Sequence, residues 1–81
     1  MIKNTKKQRY EIEVLRALCA STLGQAVESG NQQAEAWSRG ALCEANNALL
    51  DFDAQNFRYV AGAIEAARGR VNMALSLLPN A

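Results

Sequence analysis

An all-α fold, a compact bundle of three helices in one domain spanning 1–81, is predicted by three observations. Apolar and small residues recur at spacings of three and four through most of the chain. Fifteen of the 81 residues are alanine, and the single proline, Pro79, lies at the far end. The expected helices cover about 5–29, 32–50 and 54–78, as an antiparallel hairpin followed by a third helix.

The first helix is expected to start at Thr5, which with Gln8 fits a capping box. Ile12, Leu15, Cys19, Leu23 and Ala26 then share one face, flanked by Leu18 and Val27. Tyr10, Val14 and Ala17 form a second, weaker stripe on another side. A helix with two apolar faces is either central in a bundle or shared between subunits.

Ser29-Gly30-Asn31 reads as a stop followed by a start. Gly30 suits a left-handed position after the helix, and Asn31 suits the N-cap of the next one. In the second helix Ala34, Ser38, Ala41, Ala45 and Ala48 form a seam of small side chains, bordered by Trp37, Leu42, Leu49 and Phe52. Such a seam lets helix backbones approach closely while burying little apolar area per residue.

The next junction has two readings. No glycine or proline separates Gly40 from Gly62, so one helix running on through 50–54 is open. The small-residue seam changes phase there, however, and Asp51 and Asp53 are N-cap candidates at the slip, which favours a turn. The third helix carries a stripe of Ala54, Phe57, Ala61, Ile64, Arg68, Val71, Leu75 and Leu78 in alternating steps of three and four. Tyr59, Gly62, Ala66, Gly69 and Met73 form a further stripe, a candidate contact surface for another helix.

Composition excludes much chemistry. There is no histidine, so Ser-His-Asp and Cys-His catalysis are impossible. Cys19 and Cys43 are the only cysteines, too few for a zinc set, and both are expected reduced and buried. The five glycines are dispersed and form no phosphate-binding loop, and Asp51 with Asp53 offers too few oxygens for a calcium loop. No enzyme, cofactor or metal is therefore expected. No stretch reaches the roughly 18 apolar residues of a membrane span, and no signal-peptide pattern opens the chain, so a cytoplasmic location is expected.

Charge is uneven. Lys3, Lys6, Lys7 and Arg9 form a basic head over 1–9, while the remainder carries five arginines against eight acids. The head is a candidate contact for nucleic-acid phosphates, competing with a merely solvated first turn. Arg68 interrupts an otherwise apolar or small stripe. Desolvated there it needs an acidic partner, across a subunit or on a target protein with Arg70 assisting. The competing reading is a stem that covers the seam while its head reaches solvent or Glu65. Trp37 and Tyr59 are candidate hot spots at a protein interface, with core anchoring the competing role for Trp37.

Eighty-one residues lie near the lower size limit for one self-sufficient core. The chain also offers more seam-like stripes than three small helices can bury. The expected function is therefore a non-catalytic, oligomeric protein–protein interaction module, a stoichiometric inhibitor or adaptor of a macromolecular partner. Anti-defence proteins of mobile elements, the anti-CRISPR type among them, are chains of similar kind, a comparison that rests on size and composition without a motif. The alternative is a small nucleic-acid-associated regulator that uses the head for contact and the bundle for dimerisation. A small-molecule pocket formed on assembly is a third class.

Overall fold

The computed structural model describes residues 6–79. Helix α1 runs Lys6–Ser29, α2 Gln32–Asp53 and α3 Phe57–Leu77. They form an up-down-up bundle of 44 × 18 × 15 Å, with the α2–α3 pair the most extensively packed and α1–α3 the least. Among the described residues there is no strand. Thr5, the expected cap of α1, lies outside the described residues, as does Lys3.

Both inter-helix turns end their preceding helix in the same way. After α1, Gly30 has φ 68°, its N–H donates to Val27 O, and Asn31 N–H donates to Ala26 O. After α2, Gln55 has φ 65°, its N–H donates to Phe52 O, and Asn56 N–H donates to Asp51 O. This paired pattern is the Schellman motif. It settles the second junction as a turn.

The helix limits there differ from expectation. α2 continues to Asp53 and α3 begins at Phe57, so Asp51 and Asp53 lie in the last turn of α2 and cap nothing. Asn56 occupies the N-cap of α3 without a side-chain cap bond. The turn is built by a left-handed glutamine, a residue that gives no glycine-like signal in the sequence. Asn31 does cap α2 as expected: its Oδ1 accepts from Ala34 N at 2.9 Å. Its Nδ2 donates to Leu77 O at 2.9 Å and so ties the first turn to the end of α3.

The core sits along the small seam of α2. Ala34, Ser38, Ala41, Ala45 and Ala48 are all fully buried, as their spacing predicts. Ile12, Leu15 and Cys19 reach this seam from α1, and Val60, Ile64, Ala67 and Val71 reach it from α3. Phe52 and Phe57 pack edge to face at the second turn, with ring centroids 5.4 Å apart. Two buried hydroxyls are satisfied within their helices, Thr22 by Leu18 O and Ser38 by Ala34 O, both at 2.7 Å. Thr22 thereby occupies the buried position expected for Leu23, which is half-buried.

The buried face of α3 is rotated by about one residue from the expected stripe. Phe57, Ile64, Val71 and Leu78 belong to both, but Val60, Ala67 and Ala74 are buried where Ala61, Arg68 and Leu75 were expected. The sequence pattern fits either set, because both alternate steps of three and four. Packing decides: α3 turns Ala67 and Ala74 inward, and Arg68 and Leu75 move to the exposed edge.

The cysteines agree with expectation except in the burial of Cys43. Both are free, Cys19 buried and Cys43 exposed. Burial pushes the Cys19 thiol pKa up, which keeps it protonated and unreactive.

Candidate functional site

Helical geometry places Trp37, Glu44 and Asp51, seven residues apart, along one edge of α2. That edge faces α3. Arg70 crosses it, with its Cδ 3.4 Å from where a Cβ on Gly40 would stand and its Nη1 donating to Glu44 Oε2 at 2.6 Å. Gly40 therefore makes room for the arginine stem, and Glu44 holds its head.

Beyond this bridge a shallow groove of about 470 Å³ opens between the helices, with Leu50 and Asp51 on one side and Tyr59, Gly62 and Ala63 on the other. Arg58 stacks over the Tyr59 ring at 5.3 Å. Leu50 is 67% exposed, Tyr59 56% and Trp37 41%. Trp37 is outside the buried core cluster, so it anchors little of the core.

The stripe Tyr59, Gly62, Ala66, Gly69 and Met73 starts at this groove, which Tyr59 and Gly62 line, and runs on along the outside of α3. All but the half-buried Ala66 are exposed. A Cβ added at Gly62 or Gly69 would meet nothing within 4 Å. Glycine weakens a helix interior by about 1 kcal/mol relative to alanine, and nothing in the bundle requires it at either position.

The structure thus brings Trp37, Tyr59 and Arg70 to one side. Arg68 lies elsewhere, between α3 and α1, where its Nη2 donates to Glu11 Oε2 at 3.3 Å rather than to Glu65. It stands beside a second groove of about 450 Å³, lined by Lys7, Tyr10, Val14, Leu18 and Asn72 among others. Glu11 is one turn from Lys7 on α1, and nothing in the sequence of α3 points to it.

The basic head divides as well. Lys6 and Lys7 are exposed in the first turn of α1. Arg9 is committed: it donates from Nε and Nη2 to Asp53 at 3.0 Å each and from Nη1 to Glu13. Asp53 holds the Arg9 pKa up, and Arg9 holds the Asp53 carboxyl below its ordinary range. Arg9 is thus paired within the bundle, while Lys6 and Lys7 have no ion-pair partner among the described residues.

Among the described residues, no three Cys, Asp or Glu side chains gather as metal ligands would, and no helix is long and apolar enough to cross a membrane. The class defined by these features is a small three-helix bundle with exposed, partly apolar helix faces. No protein family matches the chain, nor does any curated protein or solved structure.

Proposed function

We propose that the chain is a non-catalytic protein-binding module that acts in the cytoplasm as a stoichiometric inhibitor or adaptor of another protein or complex. The docking face is the outer side of α2 and α3. The observation that carries this reading is the pair of open glycines, Gly62 and Gly69, set between exposed Tyr59 and Met73. Open backbone flanked by large apolar side chains suits an incoming helix, which needs close approach at its centre and anchors at its ends. Leu50 and the Arg70–Glu44 bridge supply the far edge, exposed Trp37 lies two turns further along the same edge of α2, and tryptophan, tyrosine and arginine dominate interface energetics.

The test is affinity capture from the native host with wild type, Gly62→Leu, Trp37→Ala and a Lys6→Ala/Lys7→Ala double variant. The Cβ of Gly62→Leu would meet no neighbour within 4 Å and the change raises helix propensity, so the free protein is expected to be at least as stable as wild type. A protein recovered with wild type and the double variant, and lost with Gly62→Leu and Trp37→Ala, supports the reading. Recovery of nucleic acid instead, released by salt and lost with the double variant, assigns function to the basic head. The Arg9 bridges to Asp53 and Glu13 weigh against that second outcome.

A further inference from the structure

The outer face of α1 has a different character from that of α3. Tyr10, Val14, Ala17, Ser21 and Gly24 alternate steps of four and three, and all are exposed. At roughly 100° per residue they fall within about 40° of one line, on the side of the helix opposite Ile12, Cys19 and Ala26. The face tapers: Tyr10 is 67% exposed and Val14 49%, while the far half ends in a serine and a glycine. A Cβ on Gly24 would meet nothing within 4 Å, so the bundle gives no reason for a glycine in mid-helix.

The charges on α1 are also reversed from what its own dipole favours. The first turn carries Lys6 and Lys7 and no acid, and the last turn carries Glu28 and no base. A helix N-terminus favours anions and its C-terminus cations. None of these three residues has an ion-pair partner among the described residues.

Both anomalies vanish against one occupant, and we infer that the outer face of α1 pairs antiparallel with α1 of a second copy of this chain, about a two-fold axis at Ala17. Tyr10 lies seven residues before Ala17 and Gly24 seven after, so the large end of each face meets the small end of the other. Val14, three residues before the axis, falls within one residue of Ser21 of the second copy, four after it. Alanine at the axis lets the two helices approach to about 8 Å, and Leu18 flanks the centre on each side. Lys6 and Lys7 of one copy come to Glu28 of the other, at both ends. Each positive helix start then lies beside a negative helix end. The interface is isologous and closes at two copies.

This pairing rests on the reading of the chain as an oligomeric binding module, but it leaves the α2–α3 docking face free. The experiment is sedimentation equilibrium of the full chain over a dilution series, with charge-swap variants. Lys7 and Glu28 are about 30 Å apart within one helix and cannot meet in one copy. Wild type is expected to be a dimer that dissociates on dilution. Lys7→Glu and Glu28→Lys, each alone, weaken it about tenfold, since every dimer loses two exposed charge pairs and gains two repulsions.

An equimolar mixture of those two variants is expected to recover wild-type dimerisation as a heterodimer, because both pairs then have opposite signs. Gly24→Leu is expected to be monomeric while retaining the helical circular dichroism of wild type. Ala17→Cys in a Cys43→Ser background is expected to cross-link to a dimer under mild oxidation. A wild type that stays monomeric, a dimer indifferent to Gly24→Leu, or a mixture that fails to recover overturns the pairing. Partner capture by Gly24→Leu isolates the two ideas. A monomer that still captures its partner leaves the α3 face standing whatever becomes of the dimer, and lost capture at Gly62→Leu with an intact dimer does not touch this one.

Discussion

Arg9 at the start of α1 grips Asp53 at the end of α2 through two parallel hydrogen bonds, Nε to Oδ1 and Nη2 to Oδ2, each 3.0 Å. The fork geometry fixes the open end of the hairpin, where no loop connects α1 to α2. Both side chains remain partly exposed, so the bridge is a modest contributor that salt weakens. Its pH signature is specific. The folded-state pKa of Asp53 lies below its unfolded value, so the stabilisation is fully present above the ordinary carboxylate range and is lost as pH falls through the depressed value. Urea midpoints of wild type and Asp53→Asn are expected to differ at neutral pH and to converge in acid. Midpoints that run parallel down the acid limb would show that the bridge does not form in solution.

The two Schellman turns make opposite predictions for one kind of substitution. Gln55 holds φ 65° with a side chain that this region disfavours, whereas Gly30 holds φ 68° at no such cost. Gln55→Gly is expected to stabilise the protein by about 1 kcal/mol, and Gly30→Ala to destabilise it by a similar amount. Chemical unfolding of the two variants checks both signs. A loss of stability in Gln55→Gly would mean that the glutamine side chain contributes more than its backbone strain costs.

Asn31 performs two tasks with one amide, and they separate by substitution. Oδ1 caps α2 at Ala34 N, and Nδ2 holds Leu77 O. Asn31→Asp keeps the cap acceptor and removes the donor, while Asn31→Ala removes both. The aspartate is expected to cost about 1 kcal/mol and the alanine about twice that. Hydrogen exchange distinguishes the sites: Asn31→Asp should speed exchange in the last turn of α3 and leave the first turn of α2 protected. Equal loosening of both would mean that the amide is reversed, with the cap made another way.

Much of the fold was legible in the sequence, for identifiable reasons. Gly30-Asn31 carries both the left-handed residue and the cap, so the first turn could be placed to the residue. The α2 seam is a run of small residues whose burial no competing stripe disputes. Sequence patterns put the second turn three residues early because Gln55 takes the left-handed role that they reserve for glycine or asparagine. The α3 face is ambiguous by one position in the sequence because two stripes share Phe57, Ile64, Val71 and Leu78, and only contact with α1 and α2 chooses between them. Of the proposed contact residues, Trp37, Tyr59 and Arg70 share a side of the bundle. Arg68 meets Glu11, a residue 57 positions away that periodicity cannot pair with it. The open glycines stand out in the sequence as stripe members, but only the packing of the bundle leaves them without neighbours.

Two additions of the same side chain separate packing from docking. Ala45 is fully buried in the seam, within the core cluster that all three helices build. Ala45→Leu forces the helices apart or drives side chains off their rotamers, at a cost of about 1–3 kcal/mol or more. A chain of this length commonly has only about 4–12 kcal/mol of total stability, so this variant is expected to lose a large part of its cooperative thermal transition. Gly62→Leu adds still more volume, yet on open surface, and gains helix propensity. Its melting temperature is expected at or above that of wild type. If Ala45→Leu melts like wild type, the α2 seam is not the close contact that organises the bundle. If instead Gly62→Leu melts well below wild type, the outer face of α3 is internal to the fold and unfit to be a docking surface.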